Sequence, residues 1–496
     1  MTEHQNKQMN RRTFIKLSGL LTAGCGLSTN TVAKRLASRS VKRPNILFII
    51  ADDQDYEALG AVGGEVRTPN LDALFEKGAV FSHAYNPGSW SGAVCVPART
   101  MLNTGRFLWR AHAVNNDLDQ EQAQGRFWSQ YLNQAGYDTY FSGKWHVGTD
   151  VHRLFDTVRN VRPGMPRVFP NNKPHAYDRP REGQHDTWDP TDPAEGGFWQ
   201  GGRHWSDVLA DDGVDFIRQA AKQNNPFFMY LAFNAPHDPR QSPKTYLRKY
   251  PQEAIQVPIN FKPEYPHNEA IGSGRGLRDE RLAPFPRTDY AVRVHRSEYY
   301  AIITHMDTQI GRILDALKEQ QLEDSTCIIF TADHGLAVGQ HGLFGKQNMY
   351  DHSVRVPLVI AGPGIRPGLI ESPVYLQDVM PTTLELAGVQ KPDHVEFQSL
   401  LPLIQGRRER LYDAIYGAYL HLQRMITADG FKLILYPEIS RVLLFDLKND
   451  PYEQTNLAGT VTYQTRTKTL FRNLLKIQQQ IGDPLDLTST FSQLLE

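Results

Sequence analysis

Three continuous apolar runs, each broken off by titratable residues, limit most strongly what this chain can fold into. Residues 45–50 end in Ala51-Asp52-Asp53, residues 226–233 in Asn234-Ala235-Pro236-His237, and residues 326–332 in Asp333-His334. Apolar runs without polar alternation are expected of strands buried on both faces, as in parallel sheets covered by helices. Residues 136–142 read as a further strand capped by Gly143-Lys144-Trp145-His146-Val147-Gly148, and residues 357–360 as another. Ligands bind such sheets at the carboxyl ends of the strands. Two adjacent acids at that rim are costly to bury unless something positive binds them. The fold class expected is α/β, a large doubly wound mixed sheet flanked by helices. Thr68-Pro69 opens a helix that Gly78 closes, residues 127–134 and 206–223 read as helices, and residues 299–320 form an amphipathic one.

The stretch Cys95-Val96-Pro97-Ala98-Arg99 lies between a Gly- and Ser-rich loop and a helix expected to start over residues 98–103. Cys95 then sits just ahead of a helix N-terminus, where free N–H groups and the macrodipole favour an anion. Arg99, one turn on, adds a permanent charge with a planar fork. A nucleophile in that cradle suits a tetrahedral oxyanion such as sulfate or phosphate.

The 496 residues carry 54 Lys and Arg against 54 Asp and Glu, so no bulk attraction to nucleic acid or to an anionic membrane follows. Cysteines at 25, 95 and 327 are too few and too scattered for a disulfide framework, and Cys327 reads as core. Residues 10–16, with Arg11-Arg12 followed by Phe14-Ile15-Lys16, resemble a twin-arginine export signal ahead of a weakly apolar run. That run is too short and broken to span a bilayer, so no transmembrane segment is expected. Thr31-Val32-Ala33 marks a cleavage site, and Cys25 an alternative lipid anchor. The organisation expected is a signal segment over 1–33, a catalytic domain over 43–405 and a C-terminal subdomain over 410–496, built of short alternating strands and a final helix.

The pattern C-x-P-x-R at 95–99, followed by Gly105-Arg106, resembles the signature of the type I, formylglycine-dependent sulfatases of the alkaline phosphatase superfamily. The phrase around Thr68-Pro69-Asn70-Leu71-Asp72, then G-K-W-H-x-G at 143–148, T-A-D-H-G at 331–335, G-x-H-G at 339–342 and K-x-N-M-Y-D at 346–351 resemble the same family in order and spacing. The resemblance implies an alkaline-phosphatase-like fold. It also implies that a maturation enzyme oxidises Cys95 to formylglycine, whose hydrate attacks sulfur and then expels sulfate.

The same resemblance implies a divalent metal, Ca²⁺ in this family, held by Asp52, Asp53, Asp333, His334 and the modified Cys95. His334 stands where the family most often has Asn. An imidazole is unusual for Ca²⁺, so Mg²⁺ or Mn²⁺ remains open. Arg99 and Lys144 would hold the formylglycine hydrate, and His146 would accept its proton. Lys144 and Lys346 would share the sulfate charge, and His237 with Lys346 would assist the leaving alkoxide. Two long insertions, 149–206 and 262–297, supply aromatics and Arg275, Arg278, Arg281, Arg287, Arg293 and Arg296, with Tyr419, His421 and Arg424 closing the pocket from the other side. The substrate expected is a sulfated carbohydrate or polysaccharide. A phosphonate monoester or phosphodiester hydrolase of the same superfamily, and a non-catalytic carbohydrate-binding relative, are the competing readings.

Overall fold

The computed structural model describes residues 43–166 and 176–496; the signal segment, its cleavage site and Cys25 lie outside them. The central sheet has eight strands: β1 (Asn45–Ala51), β2 (Ala79–Phe81), β3 (Asp138–Lys144), β4 (Thr157–Arg162), β5 (Phe227–Ala232), β6 (Thr326–Ala332), β7 (Leu358–Ala361) and β8 (Gly368–Ile370). Their order is β8-β2-β7-β6-β1-β5-β3-β4. β6, β1, β5, β3 and β4 run parallel, while β7 is antiparallel to both β6 and β2. β1, β5 and β6 are buried along nearly their whole length, because helices cover both faces of the sheet.

Helices α1 (Cys95–Thr104), α2 (Trp205–Ala220) and α3 (Asp289–Glu319) flank this sheet. Two of them differ from the sequence reading. α1 starts at Cys95 itself, three residues earlier than expected, because Ser89 and Ser91 turn the chain through hydroxyl contacts to Ser91 and Ala93 backbone groups. α3 starts at Asp289, ten residues early, with the Thr288 hydroxyl accepting the Ala291 N–H at 3.2 Å. Its first turns look polar in sequence because Asp289 is exposed and Arg293 and Arg296 are only partly buried, yet Val292 and His295 are buried. The first insertion adds a strand the sequence hides: β4 joins the sheet edge, with the Arg162 guanidinium 4.9 Å from the centre of the Trp205 ring.

Beyond residue 410 the strands Ile415–Tyr419, Gln423–Ala428, Phe431–Tyr436 and Arg441–Asp446 form an antiparallel meander packed under helix α4 (Gln464–Ile481). Its fifth strand comes from far upstream: Gly88–Ser89 pairs in parallel with Ala418–Tyr419. Gly88 has φ +98° and approaches so closely that a Cβ there would lie 1.9 Å from the Ala418 carbonyl oxygen, so only glycine fits. The small sheet therefore abuts the loop that delivers Cys95.

Candidate active site

Register brings the site together. β1 pairs with β6 so that Ala51 lies opposite Ala332, and the next residues, Asp52 and Asp333, leave the sheet side by side. β5 and β3 pair Ala232 with Gly143, which puts Lys144 on the same rim. Gly143 has φ +102°, and a Cβ there would meet the Ala232 carbonyl oxygen at 1.9 Å. The chain then folds back over the rim: the Asp52 N–H donates to the Ala235 carbonyl at 3.0 Å, drawing the His237 loop in.

Cys95, 2% exposed, sits at the centre. Its Sγ lies 3.4 Å from Asp52 Oδ1, 3.9 Å from Asp53 Oδ1, 3.3 Å from His334 Nε2 and 3.5 Å from Lys346 Nζ. The His146 ring, half-buried beneath Gly164, is within hydrogen-bonding reach of the thiol. Burial alone would raise the thiol; the positive charges of Lys144, Lys346 and His334 outweigh it and hold the thiol well below its usual range. Three buried carboxylates, Asp52, Asp53 and Asp333, face three buried cations, Arg99, Lys144 and Lys346. Lys144 pairs with Asp52, and Lys346 Nζ donates to both Asp53 oxygens at 2.8 Å. Arg99 donates from Nε to Asp333 at 2.9 Å and from Nη1 to the Lys144 carbonyl at 2.7 Å.

These charges set each other's protonation. Burial, reinforced by Asp333 and Cys95, pushes the Asp52 carboxyl well above the usual range. Burial also opposes charge on Asp333, but His334 and Arg99 prevail and hold it at about 2. Burial would lower His334, yet the carboxylates of Asp333 and Asp53 raise it to about 9.

The three carboxylates fit a hard divalent cation. Ligand atoms of Asp52, Cys95, Asp333 and His334 lie within 4.8 Å of one another, as do those of Asp52, Asp53, Cys95 and His237. His334 Nδ1 faces its neighbour's carbonyl, Gly335 O, at 2.9 Å, which leaves Nε2 turned inward toward Asp53 Oδ1 at 3.1 Å. A cation there would replace the proton that the carboxylates now hold on that ring. Beside it, among the described residues, Arg99 Nη2 is buried without a hydrogen-bond partner, as is His146 Nδ1. Orphaned buried polar atoms are rare and costly, and these two line the space around Cys95.

His237 enters from the loop after β5. Its Nδ1 contacts the Asp238 carbonyl at 2.6 Å, and its Nε2 faces Asp53 Oδ2 at 3.7 Å. All the expected site residues meet here except Arg424. That guanidinium is buried in the C-terminal sheet, paired with Asp483 at 2.7 Å from Nε and 2.8 Å from Nη2, and its Nη1 serves the Leu420 and Gln423 carbonyls. Every donor nitrogen is committed, so Arg424 cannot bind substrate. His421 is exposed and pairs with Glu438 at 3.5 Å.

The arginines of the second insertion are likewise not a free positive wall. Arg275 pairs with Glu264, Arg281 with Asp178, Arg287 with Glu280 and Arg296 with Glu65, and Arg293 donates to the Ile255 carbonyl. Sequence reasoning assigned no role to Asp238, Asp279 or Gln347, which stand against His237 and Lys346. The Asp following His237 was the only signal available.

A family model described as Sulfatase matches residues 44–389, and one described as N-sulphoglucosamine sulphohydrolase, C-terminal, matches residues 339–480. The chain is 26% identical to an N-acetylglucosamine-6-O-sulfatase of Bacteroides thetaiotaomicron, over 89% of this chain and 87% of that one. Among solved structures, one described as a complex with its substrate D-glucosamine-2-N,6-O-disulfate superposes with a TM-score of 0.69 at 23% identity, covering 89% of this chain and 99% of that one. The phosphonate monoester hydrolase of Agrobacterium radiobacter superposes with a TM-score of 0.68 at 24% identity, covering 88% and 96%. At these identities the structural likenesses establish the fold, which both kinds of hydrolase share. The Sulfatase match is more specific. It runs from β1 past β8 and takes in each strand end that reaches Cys95. This chain therefore belongs to the sulfatase family of the alkaline phosphatase superfamily and is a sulfuric ester hydrolase.

Proposed function

We propose that the protein removes sulfate from a sulfated carbohydrate, using a formylglycine made from Cys95 and a divalent cation held by Asp52, Asp53, Asp333 and His334. The observation that carries this reading is the buried cluster of three carboxylates, an imidazole and two lysines closing on one cysteine Sγ. The formylglycine would supply the nucleophilic hydroxyl and the cation would polarise the sulfate, Ca²⁺ being the family's ion with Mg²⁺ and Mn²⁺ as alternatives.

The chain's own residues do the rest. Arg99, through the Nη2 that makes no hydrogen bond among the described residues, and Lys144 hold the nucleophilic residue in place. Lys346, shared between Asp53 and Cys95, draws the sulfate in and neutralises its equatorial oxygens. His146, beside Cys95, takes a proton when sulfate leaves. His237, whose Nε2 faces Asp53, delivers a proton to the departing sugar oxygen. An alkoxide is a poor leaving group, so that help matters more for a sugar than for an aryl ester.

The carbohydrate assignment is supported by the names of the relatives. Export as a folded protein, through the twin-arginine segment at residues 10–16, is the matching proposal for location. Among the described residues no helix is long and apolar enough to cross a membrane.

One assay tests the function: sulfate and phosphonate esters of one chromophore, with and without chelator, followed by a panel of sulfated sugars. Asp333→Ala should lose cation binding, read by calorimetry, and activity together. Faster turnover of the phosphonate ester than of every sulfate ester, or full activity in Asp333→Ala, would sink the reading.

A further inference from the structure

We propose that Arg278, clamped between Asp238 and Asp279 at the rim of the site, is a specificity-determining residue that reads a neutral hydroxyl of the sugar beside the sulfate ester, not a second sulfate. This rests on the carbohydrate-sulfatase reading above. Arg278 belongs to the second insertion, yet two buried acids hold it. Its Nε donates to Asp279 Oδ1 at 2.8 Å, and its Nη2 contacts both that oxygen and Asp238 Oδ1, the latter at 3.4 Å. The two acids are fixed in turn: the Tyr177 hydroxyl donates to Asp238 at 2.9 Å, and Gln347 Nε2 donates to Asp279 at 2.8 Å.

These partners belong to the catalytic shell. Asp238 follows His237, whose Nδ1 lies 3.2 Å from its carboxylate, and Gln347 follows Lys346. The guanidinium is nonetheless open. The Arg278 side chain is 38% exposed, against 2% and 3% for its acidic partners, and its Nη1 has no hydrogen-bond partner among the described residues. A donor held by the residue next to His237 is thus presented to solvent.

Charge decides what it reads. Arg278 lies between the carboxylates of Asp238 and Asp279, both buried against it. Two carboxylates therefore flank the guanidinium at its solvent-open edge. A second sulfate would meet those carboxylates at close range, whereas a hydroxyl accepts from Nη1 and can itself donate to a carboxylate oxygen. The other arginines of the second insertion add nothing free, since each is spent on its own acid or carbonyl.

The test couples protein and substrate changes. Wild type, Arg278→Ala and Arg278→Lys are compared on a monosulfated sugar, on analogues each lacking one hydroxyl next to the ester, on the disulfated sugar, and on a chromogenic aryl sulfate. Wild type should prefer the full sugar over one deoxy analogue by about tenfold or more, the usual worth of a hydrogen bond to a charged group. In Arg278→Ala that preference should collapse to within about twofold, mainly through KM. Arg278→Lys, which keeps a charge for Asp279, covers the case in which the alanine variant fails to fold. The proposal is overturned if the deoxy preference survives in both variants. It is equally overturned if the disulfated sugar suffers the larger loss, or if the aryl sulfate falls as far as the sugar. A wild type that cleaves the aryl sulfate but no sugar sulfate would instead overturn the carbohydrate reading itself.

Discussion

Cys95 and Arg99 lie one helical turn apart, yet replacing them should have opposite consequences. Cys95 is small and adds negative charge to a rim already crowded with carboxylates, so Cys95→Ala relieves repulsion on Asp52. Turnover should vanish while the melting temperature stays within a few degrees of wild type. Mass spectrometry of the peptide containing Cys95 supplies the companion measurement: fully active enzyme carrying only unmodified thiol would refute the nucleophile assignment. Arg99 is different, because its guanidinium is fully buried and faces Asp333 and Asp52. Arg99→Ala leaves those charges without compensation, a loss of about 3–5 kcal/mol for breaking a buried pair. Denaturant unfolding at neutral pH measures it, and an unchanged midpoint would mean the pair contributes nothing to stability. Asp53 and His146 add a third kind of residue, each held at positive φ, 69° and 54°, where side chains other than glycine are uncommon. Both lie on turns just past strand ends, where the backbone must bend sharply to aim a side chain back over the rim.

At the scale of elements, the sequence was legible wherever burial was uniform. β1, β5 and β6 are buried from end to end, so their apolar runs and the acids and imidazoles after them could be read directly. β4 was not legible because it is an edge strand with residues exposed on both faces, and α3 was cut short because its first turns are half solvated. Arg424 was misread for a related reason: an arginine in a polar-looking stretch gives no sign that an aspartate 59 residues away will claim it. The turn before the helix Val379–Leu386 offers a test of burial itself. Asp378 accepts the Tyr375 and Gln398 N–H groups and the Tyr412 hydroxyl, and burial raises its carboxyl to about 7 in spite of them. A carboxyl raised on folding binds its proton more tightly in the native state. Stability from this residue is therefore greatest in acid and is lost as pH rises from the unfolded value toward about 7. The drop in melting temperature between about pH 5 and about pH 8 should be smaller in Asp378→Asn than in wild type. An equal drop in both would show that Asp378 is not the group titrating.

Over the whole molecule, the C-terminal sheet is a structural partner of the catalytic one, and the two should come apart together. Gly88–Ser89 completes the small sheet only six residues before Cys95. Arg424 binds Asp483 beyond the end of α4, and its guanidinium lies 5.1 Å from the centre of the Trp109 ring, on a helix of the catalytic part. The Tyr416 hydroxyl donates to the same Asp483 at 2.6 Å, and the Arg110 guanidinium donates to the Gln480 carbonyl at the same distance. At a second contact Lys432 reaches from the small sheet to Asp351 and Glu453. Units riveted by buried ion pairs and a shared strand lose most of those contacts in one step, so calorimetry should record a single transition. Arg424→Ala should lower that transition by leaving Asp483 unpaired, at a cost of about 3–5 kcal/mol, while KM for a sulfated sugar stays near wild type because the residue never meets substrate. Truncation after residue 405 should be harsher. It strips the partner from Gly88–Ser89 and exposes the apolar face under Tyr375 and Phe107, so little folded protein should be recovered. Two separate transitions in the intact chain, or an active fragment ending at 405, would show that the small sheet is an appendage.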